Sequence, residues 1–119
     1  MSNIFVISDT HFGHKNILKF LDTEGNPLRN FENIDHMNEH IVEQWNNTVK
    51  DNDIVYHLGD VYFADGHKVL SRLRGRKRLI LGNHDNGKSE FLHKHFQKIL
   101  MWREFKDFDC ILTHVPIHE

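Results

Sequence analysis

Four short stretches of this sequence carry side chains able to bind a cation, and each stands at the end of an apolar run. Asp9 and His11 lie in NIFVISDTHFGH with His14 close behind; Asp60 ends YHLGD; Asn83, His84 and Asp85 end LILGNHD; His114 stands in LTHVP. A carboxylate oxygen and an imidazole nitrogen offered from one strand end suit a transition-metal dication. In extended backbone alternate residues face the same way, so Asp9 and His11 are expected to point at one spot. Two dications about 4 Å apart repel strongly unless an anionic ligand sits between them. Asp60, preceded by a glycine that permits a sharp turn, is the candidate for that shared ligand. Asn83 offers a neutral amide oxygen, a weaker ligand that leaves its metal more electrophilic. His84 then stands beside the pair, placed to protonate a leaving group or to steady developing negative charge, with Asp85 orienting its ring. His114 completes the visible set.

Elements that could position these residues follow from the hydrophobic pattern. Residues 3–7, 53–58, 78–81 and 110–113 read as strands, the first as a buried one and the middle two short, uninterrupted and closed by glycine, as in the buried strands of an α/β sheet. Ile34, Met37, Ile41 and Trp45 fall on one helical stripe, with His36, His40 and Glu43 opposite. Weaker helical patterns cover 16–21, 67–73 and 89–96; Gly25-Asn26-Pro27 marks a turn, and 98–108 suggests a strand or two. Alternating strand and helix predicts α/β architecture, whose ligands sit in loops beyond the carboxyl ends of the strands. No repeat or linker divides residues 1–119, which read as a single domain.

Composition narrows the class. With 39% hydrophobic residues, two Pro and seven Gly, collagen-like and disordered chains are excluded, and no apolar stretch is long enough to span a bilayer. The N-terminus lacks the features of a secretory signal, and Cys110, the single cysteine, has no partner for an internal disulfide; a cytoplasmic setting is expected. At a net charge of −2 there is no overall pull towards nucleic acids or membranes, although eleven histidines raise the charge in mild acid.

Simpler readings compete at single residues. Asp9 or Thr10 alone suits a helix cap, and Gly59-Asp60 alone is ordinary turn chemistry. His36 and His40 are spaced as a zinc-binding helix pair but lack the H-E-x-x-H order and lie on the polar face; His93 and His95 read as surface. His57 is expected to be a hydrogen-bonded core histidine, and Cys110 a small hydrophobe packed in a core strand. Residues 67–78 hold Lys68, Arg72, Arg74, Arg76, Lys77 and Arg78 and no acidic residue, but with no interleaved aromatic they read as a solvated face rather than a nucleic-acid patch.

Taken in order, SDTHFGH, YHLGD, LILGNHD and LTHVP resemble the blocks of the calcineurin-like metallophosphoesterases, whose pattern runs D-x-H, G-D, G-N-H-[DE], a single His and then G-H-x-H. A lone G-D carries no information, but four blocks in order over nearly the whole chain, each closing an expected strand, are specific. The resemblance implies a β-sandwich flanked by helices and two divalent ions, manganese foremost, with iron, zinc, nickel and cobalt also accepted by such donors. It implies hydrolysis of a phosphomonoester or phosphodiester by a metal-bridging hydroxide attacking in line. Asp9, His11 and Asp60 would hold one metal, and Asp60, Asn83 and His114 the other; His84 and Asp85 would be catalytic, with His84 also on the substrate. His14 contacts a substrate phosphate or leaving group on one reading, and lies on the helix surface on another.

The G-H-x-H block is not among these residues, which leaves the fold C-terminally incomplete and each metal one imidazole short; His118 is a poor substitute. Were the chain one fragment of a longer or split protein, with the remainder as a second polypeptide, or were a neighbouring subunit to lend the histidines, the site would be repaired, whereas a degenerate site would make the chain a non-catalytic metal-binding or scaffold domain. A phosphate-ester substrate is thus the expected partner, with nucleic acid only as a substrate and no membrane.

Overall fold

Four parallel strands form the main sheet, but they are not the four that the apolar runs suggest. The computed structural model of the chain describes residues 2–82, 85, 87–108 and 110–114. Strands β1 (Ile4–Ile7), β2 (Ile54–His57), β3 (Arg76–Ile80) and β4 (Lys98–Leu100) lie in the order β1-β2-β3-β4. The run at 110–113 becomes β6 (Cys110–Leu112), which instead pairs antiparallel with β5 (Arg103–Phe105) in a separate ribbon. The short link between β5 and β6 closes a hairpin locally, whereas a parallel partner needs a long crossover. Such a crossover exists for β4, through α2 (Glu90–His95).

Helix α1 (Ile34–Thr48) links β1 to β2. Asn33, in extended backbone, caps it by accepting from the His36 amide at 2.8 Å. Of the expected stripe Met37 and Trp45 are buried and Ile34 and Ile41 half-buried, with Val42 buried beside them, while His36, His40 and Glu43 are exposed. The Trp45 indole donates to the Arg74 carbonyl at 2.9 Å, fixing α1 against the start of β3. The helical patterns at 16–21 and 67–73 appear as 3-10 helices, Lys15–Lys19 and Ala64–Arg72, neither with a side-chain cap hydrogen bond. That tighter helix is common in short connectors.

Consecutive parallel strands that advance in one direction through right-handed crossovers place their helices on one face. Accordingly Phe5, Ile7, Val55 and Leu79 join Val42, Trp45, Leu70, Leu92 and Phe96 in a single core. The result is a mixed α/β fold with a parallel sheet flanked by helices. On the other face Tyr56 is covered by the ribbon, its ring centroid 5.1 Å from that of Phe105. Two expectations of burial fail. Strand β1 is outermost among the described strands and alternates, so Ile4 and Val6 are about half exposed (48% and 52%). Cys110 is exposed rather than packed in the core, because its strand belongs to the ribbon.

Gly66 sits where two backbones touch: a Cβ there would lie 1.9 Å from the Phe12 carbonyl oxygen, on the segment that carries the first candidate ligands. Gly66→Ala should therefore destabilise the fold by about 1–3 kcal/mol. Urea unfolding would check this, with a clearly lowered midpoint expected and an unchanged one counting against the packing described.

Candidate metal centre

The turn after β2 gathers the loops that bear the candidate ligands. Gly59 has φ +113°, and a Cβ there would lie 2.5 Å from the Gly82 Cα and 2.7 Å from His114 Nδ1, so only glycine lets both loops close in. The amides of Asp9, His11 and Phe12 donate to the carbonyls of Gly59, Asp60 and Val61 at 2.9, 3.1 and 3.1 Å. From the opposite side the Asp85 carboxylate accepts from the amides of Asp60, Val61 and Gly82 at 2.8, 3.0 and 2.8 Å. His114 Nδ1 donates to the Leu58 carbonyl at 2.6 Å, which fixes its tautomer and leaves the Nε2 lone pair turned towards Asp60.

Asp9, His11 and Asp60 each bring one ligand atom into a group whose members lie within 4.8 Å of one another. His11 Nε2 is 3.8 Å from Asp9 Oδ1 and 3.8 Å from Asp60 Oδ2, and His114 Nε2 approaches that same Asp60 oxygen at 3.6 Å. Two carboxylates and an imidazole at this spacing fit a divalent cation, and the second imidazole reaches the same Asp60 oxygen. The side chains of His11, Asp60 and His114 are only 12%, 9% and 12% exposed, while Asp9 opens to solvent.

Convergence arises differently from the expected extended alternation. Asp9, His11 and Asp60 all have left-handed φ, at +55°, +52° and +55°. For side chains other than glycine this costs on the order of 1 kcal/mol or more per residue, and it persists only where the surroundings over-determine it. Here the surroundings are the carbonyls and amides of residues 59–61. Asn83, His84 and His118 lie outside the described residues. Asp85 is described, and its two oxygens hold the Asp60 turn and Gly82 together, a role with no signal in the sequence pattern.

His14 lies against the ligand cluster: its Nδ1 is 3.0 Å from His11 Nδ1, and its ring stacks on Phe63 with centroids 4.1 Å apart. Burial, and next the Arg29 guanidinium, hold the His11 imidazole below its ordinary pKa against the opposing pull of Asp60, favouring the neutral, ligating form. Arg29 was not singled out by any motif, yet it donates to the carbonyls of both Asp9 and Thr10. Beneath the site His57 is fully buried and hydrogen-bonded, as expected of a core histidine. The Gly59 amide donates to its Nδ1 at 3.1 Å, so Nε2 carries the proton and donates to Thr10 Oγ1 at 2.9 Å, which in turn donates to the Val61 carbonyl at 2.8 Å.

The basic run has acceptors within the chain. Arg72 forms a two-pronged pair with Glu39, Arg74 meets Asp51 at 3.1 Å and Lys68 meets Asp65 at 3.7 Å. Arg76 and Lys77 donate to the carbonyls of Asn52 and Leu73, and Arg78 to the Tyr56 hydroxyl. Lys68, Arg72, Arg74 and Arg76 are exposed, as a solvated face requires, whereas Lys77 and Arg78 are half-buried. His36, His40 and His93 are exposed and His95 is half-buried. Among the described residues no helix is long and apolar enough to cross a membrane.

Loops from the parallel sheet and from the ribbon thus bring together two carboxylates and two imidazoles, a donor set able to hold a divalent cation. The sequence profile of the calcineurin-like phosphoesterases matches residues 2–118, and the chain belongs to that family. It is 40% identical to an uncharacterized protein of Methanocaldococcus jannaschii over 98% of this chain and 60% of that protein. It is 37% identical to the gene 66 protein of Mycobacterium phage D29 over 71% of this chain and 41% of the phage protein. The crystal structure of a protein of unknown function from Aquifex aeolicus superposes with a TM-score of 0.71 at 32% identity, covering 89% of this chain and 56% of that one. The chain thus spans about 60% or less of the length of these relatives.

Burial depresses the His57 pKa from its ordinary 6.5 to about 4. Below pH 6.5 the unfolded chain takes up a proton that the folded chain refuses, so this contribution to stability is complete above pH 6.5 and drains away as pH falls towards 4. By pH 5 the loss is about 2 kcal/mol. Urea midpoints at pH 7.5 and pH 5 should show a larger loss for the parent than for His57→Gln, and equal losses would argue against a neutral buried imidazole.

Proposed function

We propose that this chain carries the metal-binding part of a phosphoesterase that hydrolyses a phosphomonoester or phosphodiester with two divalent cations, manganese foremost. One observation supports this above the rest: the same Asp60 oxygen, Oδ2, has both His11 Nε2 at 3.8 Å and His114 Nε2 at 3.6 Å. A carboxylate within reach of imidazoles from two separate loops is suited to be a ligand shared by two cations. Asp9 and His11 would hold one ion with Asp60, and Asn83 and His114 the other. When bound, such ions polarise the phosphoryl group and acidify the attacking water.

The remaining steps fall to the chain's own residues. His84 donates a proton to the leaving oxygen or steadies the charge that develops on the phosphoryl group. Asp85 braces the loop that bears His84, through the amides of Asp60, Val61 and Gly82. His14, stacked on Phe63 beside His11, contacts the substrate at the rim. The family's last two histidines would come from polypeptide beyond these residues, whether the remainder of a longer or split protein or a neighbouring subunit. Lone, exposed Cys110 suits a reducing cytoplasm, and the internally paired basic run supports nucleic acid as a substrate at most.

Hydrolysis of bis-p-nitrophenyl phosphate and p-nitrophenyl phosphate, with added manganese and after chelation, tests this reading. Chelation should silence the parent and manganese restore it, while Asp60→Asn should lower turnover on the order of 100-fold or more. A variant as fast as the parent, or turnover indifferent to chelation, would overturn the proposal. Manganese binding without turnover would mark a scaffold domain instead.

A further inference from the structure

We propose that Arg29 is a positioning residue for the metal centre, its guanidinium fork holding the Asp9 and Thr10 carbonyls so that Asp9 and His11 keep a common aim. This rests on reading Asp9, His11 and Asp60 as metal ligands. Arg29 is half-buried and reaches in from the loop between the first 3-10 helix and α1. Nη2 donates to the Asp9 carbonyl, and Nη1 to the Thr10 carbonyl at 3.1 Å while lying 3.6 Å from the Met37 sulfur. Met37 is fully buried, so the guanidinium rests on a fixed floor.

The two carbonyls belong to the peptide units inside the Asp9-Thr10-His11 bend. The unit between Thr10 and His11 is gripped from both edges, its amide by the Asp60 carbonyl at 3.1 Å and its carbonyl by Arg29. The unit between Asp9 and Thr10 has its carbonyl on the other prong. On either side stand the residues with φ of +55° and +52°. Left-handed backbone at a side chain other than glycine relaxes unless something opposes it, and a charged planar fork spanning successive carbonyls is well suited to do so. A lysine ammonium carries the charge but not the fork.

The loop that delivers Arg29 is closed by the Leu28 amide on the Phe20 carbonyl at 3.0 Å, and its Phe31 ring packs against His36 and His40 of α1. Its turn is local, with Asp22 Oδ1 accepting from the amides of Glu24 and Asn26 at 2.9 Å each, and Phe20, Leu21 and Leu28 are exposed. Burying part of a guanidinium is costly, and the attraction of Asp9 offsets some of that cost. The residue therefore couples a peripheral loop to the aim of two ligands.

Manganese affinity, measured by calorimetry and by the electron paramagnetic resonance of unbound manganese, tests the role without reference to turnover. Arg29→Ala should bind manganese about 10- to 100-fold more weakly than the parent, and Arg29→Lys should fall between them. Millimolar guanidinium should restore part of the affinity of Arg29→Ala and leave the parent unchanged. A folded Arg29→Ala protein with the parent's affinity would overturn the role, and so would a loss that guanidinium does not repair. Should Arg29→Ala fail to fold, Arg29→Lys decides, parity with the parent overturning the proposal. A parent that binds no manganese would instead overturn the metal reading, and this role with it.

Discussion

The site depends on one turn, Leu58–Val61, whose backbone hydrogen-bonding groups are all engaged. The Leu58 amide donates to Ile7, and the Leu58 carbonyl receives His114. Gly59 donates to His57 and receives the Asp9 amide. The amides of Asp60 and Val61 are held by Asp85, and their carbonyls receive His11 and Phe12, with Thr10 also on Val61. Buried backbone groups left unpaired are expensive, so a shift in this turn would be felt at every loop it touches. Groups distant in sequence meet because they are all fastened to the same few peptide units.

Such fastening explains how three candidate ligands stay in left-handed backbone. Their strain is offset by hydrogen bonds made elsewhere, which is how preorganised sites hold a geometry that no local preference favours. The neutral His57–Thr10–Val61 relay beneath the turn serves the same end. Its buried imidazole has a donor and an acceptor, both satisfied in one tautomer, and Thr10 stands between the two first candidate ligands.

Much of this could be read from the sequence because it rests on side-chain type and period. The helical stripe through Met37 and Trp45, the buried β2 and β3, and the gathering of Asp9, His11, Asp60 and His114 at strand ends all follow from patterns that the chain writes locally. What stayed hidden depends on pairing between distant segments. Nothing in IFVI says that, among the described residues, one partner strand alone flanks it, so the exposure of Ile4 and Val6 could not be read, and Cys110 looked buried because its ribbon partner was not evident. The convergence of Asp9 and His11 was expected for a different backbone reason from the one observed. Arg29 and the bracing use of Asp85 act through backbone carbonyls and amides, which leave no motif.

Anomalous diffraction from crystals grown with manganese, collected on either side of its absorption edge, addresses the meeting of these groups most directly. A peak is expected about 2.0–2.2 Å from oxygens of Asp9 and Asp60 and from His11 Nε2, with a second site, where occupied, between Asp60 and His114. Well-ordered side chains at these positions with no peak among them, or manganese bound at a separate cluster, would contradict this arrangement.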